Sequence, residues 1–475
     1  PLLAGVAMFV RLWGLEGPAW GDSPLLRVNA LRLLNSFSSG SFLVFLENLA
    51  GTAQPHPPLG YLPLMLGEIL GFAGGHSRLF ASLCALLLIA DAWRRQQRGP
   101  WPMFLLLCSP MCWQYSWEYG WDLAGAACVL QAVHWAVASD GLQKRRESLL
   151  FGLWAVAGVL TKYTVPFYLI FPCFVLLCGA AMQPGRRRNL ALVVGLGLLL
   201  LLPWLFWNRA LLAPYIGGSF AEDTRAITMN GRSWAERLSP SGLLYYPAAI
   251  KDALGWPTLL LLMLGFWWDR RSLFVWAACG GLLGLSLMPA AVDRYALTAL
   301  CLLVGSFSAV DRLPQGQLLG AVLGLGLLVG SWRSFHSPLP QPPSYQHSIA
   351  TLAWPSSGSY APFQVEKARF LVDESLRDLL KMPEPYGLRL PFDGRLPDTG
   401  VYLEVARSLG WQGDILVERE PQRPPSPEVQ SLLSVGKPGD TTVLQQAGWL
   451  PAAPPQRVST ADGTPWEVGL WRRAP

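Results

Sequence analysis

The chain is 475 residues long, 52% hydrophobic and only 14% charged, with 22 tryptophans and a formal net charge of +6. So little charge, spread between repeated apolar runs, places it among the polytopic membrane proteins. The positive balance is accounted for by basic loops between spans and calls for no nucleic-acid partner.

The first apolar run, Leu2 to Trp13, should leave the membrane close to Trp20-Gly21-Asp22-Ser23-Pro24. A carboxylate at the edge of a bilayer is costly unless it has partners or work, which singles out Asp22. Capping of a helix that begins Pro24-Leu25-Leu26 explains it equally well on local grounds. The chain opens on Pro1 without Met, so a preceding segment is expected. Residues 14 to 77 hold two amphipathic pieces, Pro24 to Ser36 and Pro57 to Phe72, which read as helices lying at the interface. Further apolar runs follow at 78–93, 101–115, 120–139, 149–163, 165–181, 190–207, 256–268, 273–288, 295–310 and 318–333. With the first run, these predict about eleven spans.

Alternating the spans puts Arg94-Arg95, Lys144-Arg145-Arg146, Arg186-Arg187-Arg188, Arg270-Arg271 and Arg312 on one side, which the positive-inside rule makes cytoplasmic. The other side then holds Asp22, His56, Arg78, Glu118, Asp122, Lys162, the loop 208–255 and Asp293-Arg294-Tyr295. From about His336 the chain becomes proline-rich, and eleven spans with a cytoplasmic start leave this tail outside the cytoplasm. Gln364 to Lys381 and Val401 to Leu409 read as helices; Asp414 to Val417 and Trp466 to Trp471 read as short strands. The expected fold is therefore an all-α polytopic membrane domain over residues 1–335, with interfacial helices in its first outer loop, and a small extracytoplasmic α/β domain over 336–475. All eight cysteines fall in apolar runs, which supports neither a disulfide framework nor a thiolate zinc site. Gly195, Gly197, Gly320 and Gly324 read as places where helices approach closely.

The outward-facing groups carry the chemistry. His56 precedes Pro57-Pro58 at a helix start, where it could face an anionic headgroup or simply be solvated. Glu118 and Asp122 are four residues apart, so one helix would put both carboxylates on one face. Their repulsion would be offset by a cation, a divalent metal or a sugar hydroxyl between them, or by solvent. Lys162 ends its span beside Tyr163, and snorkelling to the interface is its simplest explanation. Asp293-Arg294-Tyr295 opens another span, with an internal Asp–Arg pair as the plain account.

In order, the chain shows an Asp in the first outer loop, His56-Pro57-Pro58-Leu59, Ser77-Arg78-Leu79, Ser109-Pro110, the acidic turn Glu118 to Asp122, Gly158-Val159-Leu160-Thr161-Lys162-Tyr163-Thr164 and Asp293-Arg294-Tyr295. This order resembles the membrane glycosyltransferases of the C-type fold, in the branch of the protein mannosyltransferases and lipid A aminoarabinose transferases, over roughly residues 1–310. The resemblance implies a polyprenyl-phosphate sugar donor, a lipid, glycan or protein acceptor, and inverting chemistry at the outer face of the cytoplasmic membrane. It implies Asp22 as the general base; Ser23 stands where many members have a second acid that could help bind a metal. His56 takes the place where some relatives carry Lys. His56, Arg78, Lys162 and Arg294 are then the expected contacts of the donor phosphate, and Glu118, Asp122 and Tyr295 those of the substrates. A lipid flippase and a non-catalytic relative that binds a partner are the rival readings.

Overall fold

The computed structural model describes residues 1–13, 23–38, 42–51, 57–72, 75–118, 121–181, 183–210, 212–213, 232–270, 272–288, 292–307, 315–335, 372–390, 399–409, 411, 415–418, 425–437, 440–459 and 465–474. Asp22 and His56 lie outside them. The chain divides into two compact units, one holding Pro1–Leu15 and Leu33–Ser337, the other Glu16–Arg32 and Phe363–Pro475.

The helices run in the order α1 Leu2–Trp13, α2 Ser23–Ser38, α3 Phe42–Gly51, a 3₁₀ turn Pro58–Tyr61 leading into α4 Leu62–Ile69, α5 Gly75–Arg95, α6 Trp101–Cys108, α7 Pro110–Glu118, α8 Asp122–Ala138, α9 Arg145–Val159, α10 Val165–Ala181 and α11 Pro184–Trp207. They continue with α12 Trp234–Leu238, α13 Pro240–Leu243, α14 Tyr245–Trp268, α15 Leu273–Ser286, α16 Ala296–Val304 and α17 Gly316–Ser334. Every expected apolar run carries helix, and α3 is an addition. Among the described residues, however, only α5 from His76, α11 and α14 are long and apolar enough to cross a membrane on their own. The count of eleven spans is therefore not reached by length and composition.

The expected run 101–115 shows one cause. Pro110 has no amide hydrogen, and it pushes the preceding residue out of the helical region; Ser109 is extended (φ −74°, ψ 130°). Two carbonyls left over at the break find partners. Leu107 O accepts from Trp113 Nε1 at 2.7 Å, and Cys108 O from Ser331 Oγ on α17 at 2.7 Å. A break inside an apolar bundle is tolerable because these groups are satisfied.

At the centre stands α8, buried along most of its length and packed against α5, α9, α10 and α16. Beside it, α10 lays Tyr168 onto α15 at Gly281, where a Cβ would lie only 2.0 Å from the ring. Any side chain there would push the two helices apart. Gly320 and Gly324 of α17 are likewise covered, by Phe307 and Phe104. Gly195 is not: nothing lies within 4 Å of the position of its Cβ. The packing expected there is absent because the membrane-length stretch of α11 is only 6% buried and turns its apolar surface outward.

In the second unit, β1 Tyr386–Arg389, β2 Leu416–Glu418, β3 Ser431–Gly436, β4 Trp449–Pro451, β5 Gln456–Ser459 and β6 Pro465–Arg473 form one sheet in the order β2-β1-β3-β6-β4, with β5 also on β6. β1 is parallel to β2 and β3, while β6 is antiparallel to its neighbours. The helices α18 Val372–Leu379 and α19 Thr399–Ser408 bury Val372, Leu376, Val401 and Val405 in one core with Leu388, Leu433 and Trp466; α20 Thr441–Gln446 sets Leu444 in a second cluster with Leu432 and Trp449. This is the small α/β body that the tail led us to expect. The expected helix from Gln364 is present over Val372–Leu379, its first part lying outside the described residues.

Candidate functional site

Pro57 caps the 3₁₀ turn and Pro58 opens it, since proline fixes φ and is favoured in a first turn. This turn is pinned at two points. The Leu59 amide donates to Leu160 O at 2.8 Å, tying the turn to the C-terminal end of α9, within the Gly158–Thr164 stretch. Tyr61 meets Trp121 edge-on, with ring centroids 4.8 Å apart. Between them, Gly60 lies so close to Trp121 that a Cβ would come within 2.6 Å of its ring. Trp121 itself takes a left-handed backbone (φ 60°) and directly precedes Asp122. We therefore expect Gly60→Ala to displace Trp121 and cost about 1–3 kcal/mol by overpacking, read as a lower thermal midpoint of the solubilised protein. An unchanged midpoint would mean that this contact does not hold the turn.

Asp122 is the first residue of α8, its side chain only 2% exposed. Its Oδ2 lies 2.6 Å from Lys162 Nζ and 4.0 Å from Arg294 Nε. Both cations also lie over the ring of Tyr295, at 5.1 Å and 5.7 Å from its centroid. The turn Asp293–Tyr295 that presents Arg294 is held from three helices. Tyr115 of α7 donates its hydroxyl to Asp293 Oδ1 at 2.6 Å, and Tyr168 of α10 donates to Tyr295 O at 2.6 Å. α14 packs on the same turn. The close seat of Tyr168 at Gly281 thus reaches, through one hydrogen bond, the residue next to Arg294. Glu118 ends α7, buried, and accepts from Gln114 Nε2 at 2.9 Å. Arg78, Asp293 and Arg294 all lie within electrostatic range of it. Arg78 is itself fully buried on α5.

Residues far apart in sequence thus gather in one place. Asp122, Lys162, Arg294 and Tyr295 touch; Asp293, Glu118 and Arg78 adjoin them. Three expectations change. Glu118 and Asp122 do not share one helix face, because the chain leaves α7 at Glu118 and re-enters α8 only after the left-handed Trp121. Lys162 does not snorkel to the interface; it is turned into an ion pair and only 12% exposed. Arg294 faces Asp122 instead of the neighbouring Asp293 carboxylate, which accepts from Tyr115 and from the Arg294 amide (2.8 Å). Among the described residues, no group of three His, Cys, Asp or Glu side chains stands close enough to hold a metal ion. Asp122 is itself engaged by Lys162.

Two features went unread in the sequence. Arg232, in the loop before α12, donates to Ser286 O at 3.2 Å and Met288 O at 3.1 Å. It lies within range of Tyr246, as do Asp293 and Tyr295. Its only signal was a cation among Trp234, Tyr245 and Tyr246. The second feature is an ion pair between the buried neighbours Lys251 and Asp252. It sits in α14 shortly before Gly255, whose φ of 70° marks a kink. Adjacent opposite charges inside Ala248–Leu254 were the sign of it, since such groups are rare in a span without a partner.

The fold is similar to that of the C-type membrane glycosyltransferases. Among the similar solved structures is ArnT from Cupriavidus metallidurans, a lipid A aminoarabinose transferase of that fold. The structure of ArnT bound to undecaprenyl phosphate matches with a TM-score of 0.60 and 14% sequence identity, covering 99% of this chain and 96% of that one. Its apo state matches with a TM-score of 0.57 at the same identity and coverage. No family model and no curated protein matches the chain. The likeness is therefore one of fold, and it agrees with the family resemblance carried by the motifs.

Proposed function

We propose that this protein is a glycosyltransferase of the cytoplasmic membrane that takes a sugar from a polyprenyl-phosphate donor and passes it, with inversion, to an acceptor at the outer face. The observation that carries this reading is the gathering of Lys162, Arg294 and Arg78 at one cluster of helix ends. The fold shared with a protein that binds undecaprenyl phosphate supports it.

The chemistry fits these residues. An acceptor hydroxyl or amine attacks the anomeric carbon while Asp22 takes its proton. The bond from that carbon to the phosphate oxygen breaks, and its electron pair leaves with the lipid phosphate. Preorganised cations stabilise the charge that develops there, more so in a site shielded from water. Lys162 and Arg294 are held in place by Asp122 and Tyr295, so little reorganisation is needed when the phosphate departs. We expect Arg294→Met to lower kcat on the order of 10²-fold with little change in KM for the donor; a change in KM alone would assign Arg294 to ground-state binding.

The decisive experiment incubates the purified protein with a panel of polyprenyl-phosphate sugars and with lipid, glycan and protein acceptors, reading products by mass spectrometry. Transfer from at least one donor is expected, and its absence from all would overturn the proposal. A lipid transporter is the alternative, and the buried Lys251–Asp252 pair in α14 is the observation in its favour. Movement of a fluorescent polyprenyl phosphate across vesicles, without sugar transfer, would establish it instead.

A further inference from the structure

At the opposite end of α9 from Lys162, an open groove of about 610 Å³ is lined by Arg145, Arg146, Leu149, Leu150, Leu153 and Leu196. Its lining separates cleanly. The two arginines stand at one end, exposed, and three leucines continue from them along α9, with Leu196 of α11 facing them. α11 itself begins with Arg186, Arg187 and Arg188 near its start. The two helix starts are held together by Asn189 Nδ2, which donates to Leu142 O at 2.8 Å and Gln143 O at 3.1 Å. Against these basic residues and Lys144, the first turns of α9 and α11 offer only Glu147.

We propose that this groove holds one anionic phospholipid of the membrane, with its phosphate at Arg145 and Arg146 and an acyl chain along Leu149, Leu150, Leu153 and Leu196. Three features argue for that occupant. Guanidinium groups pair with phosphate oxygens in a planar fork, which suits a phosphodiester headgroup. From Arg145 to Leu153 the groove runs about 12 Å along α9, at ~1.5 Å per residue. That is close to the roughly 15 Å of hydrocarbon in one leaflet of a ~30 Å core. An acyl chain therefore ends where the groove ends, whereas a much longer polyprenyl chain would overrun it. The site lies among the arginine clusters that the positive-inside rule assigns to the cytoplasmic face. It is independent of sugar transfer and would stand if the protein carried out a different reaction.

The test equilibrates the full-length protein in detergent with equal amounts of phosphatidylglycerol and phosphatidylcholine, and counts retained lipids by native mass spectrometry. Wild type should keep one phosphatidylglycerol, in preference of on the order of tenfold or more. The double variant Arg145→Gln/Arg146→Gln should lose that preference, and Arg145→Lys/Arg146→Lys, which keeps the charge without the fork, should keep only part of it. Leu150→Trp, which fills the groove and leaves both arginines, should also release the lipid. No preference in wild type would overturn the proposal. So would a preference that survives in the Gln variant. Retention undiminished in Leu150→Trp would overturn it as well, since surface charge alone would then account for the binding.

Discussion

Lys162→Met should both unsettle the protein and stop it working. Asp122 is 2% exposed and Lys162 12%, with 2.6 Å between their charged atoms. Removing one partner of a buried pair leaves the other charge without compensation, at a cost of about 3–5 kcal/mol. Arg294, at 4.0 Å, can take up part of that role, so the lower part of the range is expected, read as a fall in thermal midpoint. Turnover should fall on the order of 10²-fold, as when one preorganised charge contact to the reacting group is lost. The two effects can be separated. Lys162→Met combined with Asp122→Asn removes both charges, and should recover much of the stability because no isolated carboxylate remains. It should recover none of the turnover. If Lys162→Met keeps its midpoint and works within a few-fold of wild type, the pair matters neither to the fold nor to the reaction.

Much of this site could be read before any coordinates, and the reason is chemical. Asp122, Lys162 and Arg294 are charged groups at the ends of apolar runs, and such groups are rare unless something holds them there. Placing the spans alternately put them on one side, and the helices then bring them into contact. What could not be read was the choice of partner. Whether Arg294 turns to Asp293 beside it or to Asp122 depends on Tyr115, which takes the Asp293 carboxylate, and that contact exists only once α7 has packed against the turn. Nor does sequence spacing reveal that Trp121 takes a left-handed backbone, because the strain is offset by its packing on Gly60 and Tyr61. Arg232 was hidden in the same way, since its partners are backbone carbonyls that leave no mark in a sequence. In the tail, β1 and β3 are short buried runs without the alternation that marks a half-exposed strand. The amphipathic α18, by contrast, has the periodicity that the sequence makes plain.

Two aspartates invite comparison, and they should fail differently. Asp122 is committed to Lys162, with Arg294 close by, so its carboxylate is placed to position cations and poorly placed to take a proton from an acceptor. Asp22, in the Trp20–Pro24 stretch, is the carboxylate we assign to proton removal. Asp22→Asn keeps the size of the side chain and most of its hydrogen-bonding capacity but cannot accept a proton. It should leave the thermal midpoint and the KM for the lipid donor near wild type while lowering kcat by a factor on the order of 10²–10⁴, the usual worth of a general base. Asp122→Asn should instead lower the midpoint, because it leaves the largely buried Lys162 without its counter-charge. A pH profile sharpens the distinction. A base acts only when deprotonated, so wild-type kcat/KM should fall toward acid as that carboxylate is protonated, and Asp22→Asn should lose this acid limb while Asp122→Asn keeps it. If Asp22→Asn retains turnover within a few-fold and the acid limb persists, the base lies elsewhere. Glu118, buried beside Arg78 and Arg294, would then be the next carboxylate to replace.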